Sequence, residues 1–235
     1  MAFTARTETY VDLTGLVTPF DITVTKPTGT VDGDILFCCI GWQETVPPTI
    51  DSVPSGWILL GSDSGSTYDR WSLYYKIAAS EGASWVWSFT ASVKVRAVCS
   101  CYTGGDFDPA DAIDVVSNTA YRTSDANCIA ASMAVSAVNS PLVFWAFPRY
   151  TSAVTHLKPS VPTTAWIEDD DAGSTTSDFW TEICSMIWSG LGGTGAMSAT
   201  MSVATDRKHA FAVALNPAPP SFQPFRNYYP HILAH

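Results

Sequence analysis

Charge is scarce in this sequence, and basic charge is scarcer still. Only 14% of the 235 residues are charged, and 12 Lys and Arg stand against 22 Asp and Glu, a formal net charge of −10. A chain this acidic repels a phosphate backbone, which argues against nucleic acid as a general partner. No run of about 18 apolar residues is present, so no membrane span is expected. The first residues lack a basic segment followed by an apolar one, so no export signal is expected either. There is no CxxC pair, no Cys/His set with zinc spacing and no G-x-S-x-G elbow. The glycine-rich GLGGTG at 190–195 precedes an alternating strand rather than a helix, and reads as a turn. Helical periodicity is nearly missing throughout.

What the chain does have is apolar residues, 46% of the total, and enough length to bury a sizeable core. They fall in short alternating runs broken by Gly, Pro, Ser and Asp, the pattern of β-strands. In the first half the clearest runs are 20–26, 34–42, 57–62, 70–78, 84–90 and 93–102. The second half has 128–136, 141–150, 164–170, 180–188, 196–205 and 209–217. Their number and spacing predict an all-β fold, a single β-sandwich of jelly-roll type. Both halves run from a hydrophobic strand through a Pro-containing loop to a Trp strand and a closing meander. The sandwich is therefore expected to consist of two similar halves. The organisation expected is an N-terminal arm over 1–19, the sandwich over 20–217 and an aromatic, Pro-punctuated tail over 218–235.

The stretch SWVWSF places Trp85, Trp87 and Phe89 on one face of a strand. They are expected to be core, pairing with the strand at 70–78, whose face Trp71, Leu73, Tyr75 and Ile77 is apolar. The opposite face of that strand, Arg70, Ser72, Tyr74 and Lys76, is mixed. Of the six cysteines, Cys99 and Cys101 share a face with Val93, Val95 and Ala97, as small buried hydrophobes do. All six are expected to be reduced.

Candidate chemistry is thin. The histidines His156, His209, His231 and His235 fall in a loop, at a strand start and in the tail. The acidic clusters at 168–171 and 104–114 lie beside Gly, Ser or Pro and read as solvated loop tips. Asp106, Asp108, Asp111 and Asp114 could offer oxygen ligands to calcium, but the order of ligands in an EF-hand loop is missing. No catalytic residue, metal or cofactor is assigned. The tail carries Phe222, Phe225, Tyr228, Tyr229, Ile232 and Leu233, an apolar set expected to dock on a neighbouring subunit.

The chain also carries Lys26 and Pro27 before a V-x-G-D-x-L strand (Val31, Gly33, Asp34, Leu36), then P-x-G-W (Pro54, Gly56, Trp57). Y-Y-K-x-A-x-x-E follows at Tyr74, Tyr75, Lys76, Ala78 and Glu81, and A-x-A-L-x-P at Ala212, Ala214, Leu215 and Pro217. In this it resembles a group of β-sandwich virion proteins of tailed bacteriophages. The motif residues have structural explanations of their own; Lys76 and Glu81 flank a tight turn and are expected to pair across it. The resemblance implies a non-enzymatic virion structural protein assembled in the host cytoplasm, a capsid decoration (cement) or tail accessory protein. Its partners would be copies of itself and other virion proteins, reached through the termini. The alternative is a receptor- or glycan-binding module of a tail fibre or tail tip, in which Trp42, Trp145, Trp166 and Trp180 stack on a host surface glycan. A carbohydrate-active enzyme is a third option, for which no isolated acid pair can be named.

Overall fold

The computed structural model describes residues 3–14, 20–43, 49–63, 68–103, 107–121, 125–150, 156–159, 166–174, 178–205 and 207–219. These form an all-β sandwich fold, with no helix among the described residues. The first half supplies β1 (Thr9–Thr14), β2 (Phe20–Thr25), β3 (Ile35–Gln43), β4 (Ile50–Ser52), β5 (Ile58–Asp63), β6 (Asp69–Ile77), β7 (Ser84–Phe89) and β8 (Lys94–Tyr102). The second supplies β9 (Ile113–Tyr121), β10 (Asp125–Ala130), β11 (Ala134–Val135), β12 (Ser140–Pro148) and β13 (His156–Leu157). It continues with β14 (Ile167–Ser174), β15 (Phe179–Trp188), β16 (Gly192–Gly193), β17 (Met197–Thr205) and β18 (Lys208–Leu215).

The two halves repeat one topology. The first forms a five-stranded sheet β1-β8-β3-β6-β5 and a three-stranded sheet β2-β7-β4. The second forms β9-β18-β12-β15-β14 and β10-β17-β13. Strand for strand the orders correspond, with the short β11–β16 pair added in the second half. In each, the first strand pairs with the last, the second with the next to last, and the third with the sixth-ranking strand, all antiparallel. That wrapping is the jelly roll. The two similar halves expected from sequence are thus present, each with a five-stranded and a three-stranded sheet.

Three apolar cores follow from this arrangement, and they stack as four layers of sheet. The five-stranded sheets face each other across a central core that includes Phe37, Trp71, Trp145, Phe147, Phe179 and Phe211. Outside it lies a core between the first unit's two sheets, containing Leu36, Cys38, Trp57, Trp85, Trp87 and Phe89. The matching core of the second unit contains Phe144, Trp166, Cys184, Met197 and Ala212. Strands β3, β12 and β18 are covered on both faces and buried at every residue. This is why ILFCCIGW, PLVFWAF and HAFAVAL read as continuous apolar runs rather than alternating ones. Along β3, Ile35, Phe37 and Cys39 enter the central core, while Leu36, Cys38 and Ile40 enter the outer one. By contrast β2, with one face in solvent, alternates buried and exposed.

The Trp85–Trp87–Phe89 stripe is core, as expected, but its sheet neighbour differs. Strand β7 pairs with β2, placing Trp87 opposite Ile22 and Phe89 opposite Phe20. The stripe meets β6 across the core instead, with Trp87 6.3 Å from Tyr74 between ring centroids. The segment expected to be a free N-terminal arm also differs. Its residues 9–14 are β1, paired along β8; Phe3 stacks on Tyr102 at 4.7 Å, and Arg6 Nε lies 2.7 Å from Asp34 Oδ2. Residues 3–14 therefore belong to the first jelly roll. Nor is the acidic run at 168–171 a loop tip: it lies in edge strand β14, with a register shift between Glu168 and Asp170.

Polar contacts set the register between the two units. The Tyr102 hydroxyl donates to Asp169 at 2.9 Å, and Arg96 Nε donates to Thr181 Oγ1 at 3.0 Å. Asp178 receives Gln43 Nε2 at 2.9 Å and Lys94 Nζ at 2.8 Å. Arg149 Nη1 lies 3.1 Å from Asp69 Oδ1. Directional bonds of this kind fix where one sheet sits on another, which an apolar surface alone does poorly.

Candidate functional site

In the first unit β5 pairs with β6 rather than with β4. The sandwich is left unclosed along that side, and the gap is a pocket of about 180 Å³. Strand β4 contributes Ile50, preceded by Thr49; β5 contributes Leu59, Ser62 and Asp63. From β6 come Arg70, Ser72 and Tyr74, and from β3 comes Trp42. The last two strands are adjacent, and their register sets Trp42 directly opposite Arg70. A register shift falls between Leu59 and Gly61 in β5, ahead of the lining residues Ser62 and Asp63.

The pocket has two characters. Trp42 and Tyr74 form an aromatic wall, both nearly buried. Burial raises the Tyr74 phenol to about 12, against the opposing hydrogen bond with Ser72, so at neutral pH the hydroxyl is a neutral donor and acceptor. The other character is polar. Arg70 Nε is shut off from solvent with no hydrogen-bond acceptor, and among the described residues no carboxylate pairs with this guanidinium. Asp63 in the same lining lies 3.9 Å from His209 Nδ1.

Of the four tryptophans expected as a sugar platform, only Trp42 lines this opening. Trp145 is fully buried in the central core, edge-on to Phe37 at 5.0 Å. Trp166 is 1% exposed and packs against Phe144. Neither can stack on a ligand, because sheets cover both from either side. Trp180 is half-buried over Gly173, and its Nε1 donates to the Tyr150 carbonyl at 3.1 Å. The four do not form one surface. The tail residues Phe222, Phe225, Tyr228, Tyr229, Ile232 and Leu233 lie outside the described residues.

Other groups capable of chemistry are bound into the frame. His209 is not at a strand edge of the sheet but on β18, between β12 and β9, stacked 5.5 Å from Trp71. Glu182 is fully buried in β15 and accepts the Cys184 thiol at 2.8 Å; burial, then that carboxylate, drives the Cys184 thiol far up. In the second acidic cluster Asp108 Oδ1 accepts from Ala110 N at 2.9 Å, and Asp114 Oδ2 from Ser136 N at 2.7 Å. The first carboxylate holds a turn, the second ties β9 to the segment after β11, and Asp106 lies outside the described residues. Among the described residues no group of three His, Cys, Asp or Glu side chains is placed to hold a metal ion.

Sequence reading did not single out Arg70, Asp63 or Ser62. A signal existed at Arg70, Ser72 and Tyr74, the mixed face of 70–78, which lines the pocket. What was missing was the register that brings Trp42 onto that face. Comparison with protein-family models, with curated proteins and with solved structures gives no match for this chain.

Proposed function

We propose that this chain is a non-enzymatic structural protein of a phage particle, of the capsid decoration type, that stabilises the virion by bridging neighbouring subunits. The observation that carries this reading is the use made of its polar side chains. Asp69, Asp178, Lys94, Arg96, Arg149 and Thr181 fasten one jelly roll to the other, giving a stiff, four-layered body suited to persisting on a shell. The motifs shared with tailed-phage virion proteins support the same reading, as does an acidic surface that repels packaged DNA. With residues 3–14 taken up in the first unit, contact with neighbours falls to the tail at 218–235.

The test is the solution mass of the full chain against a chain ending at Pro217, which retains every strand of the described residues. An oligomer that falls to monomer on truncation is expected. A monomeric full chain that also fails to bind phage shells would overturn the proposal.

A second reading, a receptor-binding module of a tail fibre or tip, is favoured by one observation. The pocket beside Trp42 joins aromatic walls to a guanidinium that no carboxylate of the described residues pairs with, an arrangement that a purely structural body does not need.

A further inference from the structure

We propose that the pocket at the unclosed side of the first jelly roll binds a single carboxylate-bearing sugar residue, with its carboxylate on Arg70. This deepens the receptor-binding reading and rests on it. Three features of the pocket select that chemistry together.

The first is the guanidinium. Nε is shut off from solvent, so a ligand carboxylate meets the terminal nitrogens Nη1 and Nη2, and a charge-assisted bond there is worth more than a neutral one. The planar fork of an arginine matches a carboxylate through two parallel hydrogen bonds. Arg70 is held for this by its strand, opposite Trp42.

The second feature is the mixture around it. Trp42 and Tyr74, 4% and 6% exposed, give the pocket an apolar wall that the C–H side of a pyranose can touch. Ser62, Ser72 and Asp63 offer hydroxyl and carboxylate partners for ring hydroxyls. Asp63 also discriminates among anions. Beside its negative charge a phosphate dianion is repelled more than a monoanionic carboxylate, while a sugar hydroxyl can donate to it.

The third feature is size. A cavity of about 150 Å³ takes one benzene-sized ring, and this one measures about 180 Å³. A pyranose with its substituents is larger than that ring, so one residue seats in part with the remainder toward the open side, and the ligand is a terminal residue or a branch.

The experiment is an NMR titration of the full chain, following the indole N–H signals, with methyl β-D-glucuronide and with methyl β-D-glucoside as its uncharged counterpart. Saturable binding that shifts the Trp42 signal is expected, with the glucuronide about tenfold tighter, the effect of one charge-assisted hydrogen-bond pair. Arg70→Gln is expected to remove the preference while leaving thermal unfolding cooperative. Should Arg70→Gln fail to fold, Arg70→Lys keeps the charge without the fork and is expected to weaken the glucuronide severalfold. Equal affinity for both sugars at Trp42 would overturn the carboxylate assignment and leave the receptor reading standing. A preference that survives loss of the Arg70 fork would also overturn the assignment. No binding of either sugar would overturn it and remove the support for the receptor reading.

Discussion

Lys94 Nζ of the first jelly roll lies 2.8 Å from Asp178 Oδ2 of the second, and that oxygen also accepts from Gln43 at 2.9 Å. Asp178 holds this position in a left-handed turn residue, φ 63°, between β14 and β15. An aspartate tolerates that conformation better than most residues. The chain thus places a strained turn where its side chain can reach the other unit. Arg149 closes the cluster, 3.1 Å from Asp69 and 3.9 Å from Asp178.

Replacing Asp178 should therefore be costly. Asp178→Ala removes the shared acceptor and leaves Lys94, Gln43 and Arg149 facing an apolar methyl in an unfavourable backbone conformation. The Lys94 side chain is 40% exposed and contributes little, so the cost comes mainly from the buried Gln43 bond to the carboxylate and is about 2–3 kcal/mol. Asp178→Asn keeps the turn and one acceptor oxygen and should cost roughly half as much. Urea unfolding of both variants measures this; a loss below about 1 kcal/mol in Asp178→Ala would show that the apolar core alone holds the units together.

Glycine at 41 is required by the approach of the units. A Cβ there would overlap Phe147 Cε1 and come within 2.9 Å of Phe147 Cδ1 and 3.1 Å of Trp71 Cδ1. Gly41→Ala should destabilise by about 1–3 kcal/mol through overpacking. If the overlap is the cause, Phe147→Leu should relieve it, and the double variant should lose less than the two singles summed. Strict additivity would place the cost elsewhere.

How much of this was readable beforehand depends on what each feature needs. Strands with strong apolar runs, such as those holding Phe37, Trp87 and Phe211, were legible because their pattern is local. The opening strands of both units, β1 and β9, were not. TYVDLT and IDVVSNTAY are edge strands of their sheets, and their polar residues weaken the alternation that a covered strand shows. The second sheet face was written in the sequence too, as runs without alternation, but a run buried on both sides does not say what covers it. Tryptophan burial was legible for Trp85 and Trp87 but not for Trp145. That residue lies on β12, the counterpart of β3 that carries Trp42, and only the stacking of one unit on the other places it in the central core. The Lys76–Glu81 pairing, at 2.9 Å, was legible because a tight turn makes it local.

The cysteines offer a chemical check on the packing. All six are free and buried. Burial is the main reason that the thiols of Cys38, Cys39 and Cys99 lie well above their ordinary value, and it lifts Cys101 to about 12 despite a hydrogen bond with Thr30. Since the thiolate is the reactive form, a thiol reagent at pH 8 should label almost none of them in the native protein. All six should react after denaturation without reductant. Fewer than six would reveal a disulfide, for which Cys38 and Cys99, directly opposite each other on β3 and β8, are the cross-strand candidates.

Glu81 ties stability to pH, and the sign can be worked out. Burial by itself would raise its carboxyl, but the Ala79 amide, Lys76 and the Trp85 indole outweigh that and hold it below the ordinary value of 4.5. The contacts are Ala79 N at 3.0 Å, Lys76 Nζ at 2.9 Å and Trp85 Nε1 at 3.0 Å. A carboxyl lowered on folding releases its proton more readily in the native state. Its stabilisation is therefore complete above the unfolded value and fades as pH falls through the folded one. Glu81→Gln should cost about 1 kcal/mol near pH 7 and progressively less below pH 4.5, where the wild type loses what the variant never had. Unfolding midpoints of the two proteins plotted against pH should converge on the acid side. Parallel curves would mean that Glu81 acts in the turn through shape and hydrogen bonding, not through its charge.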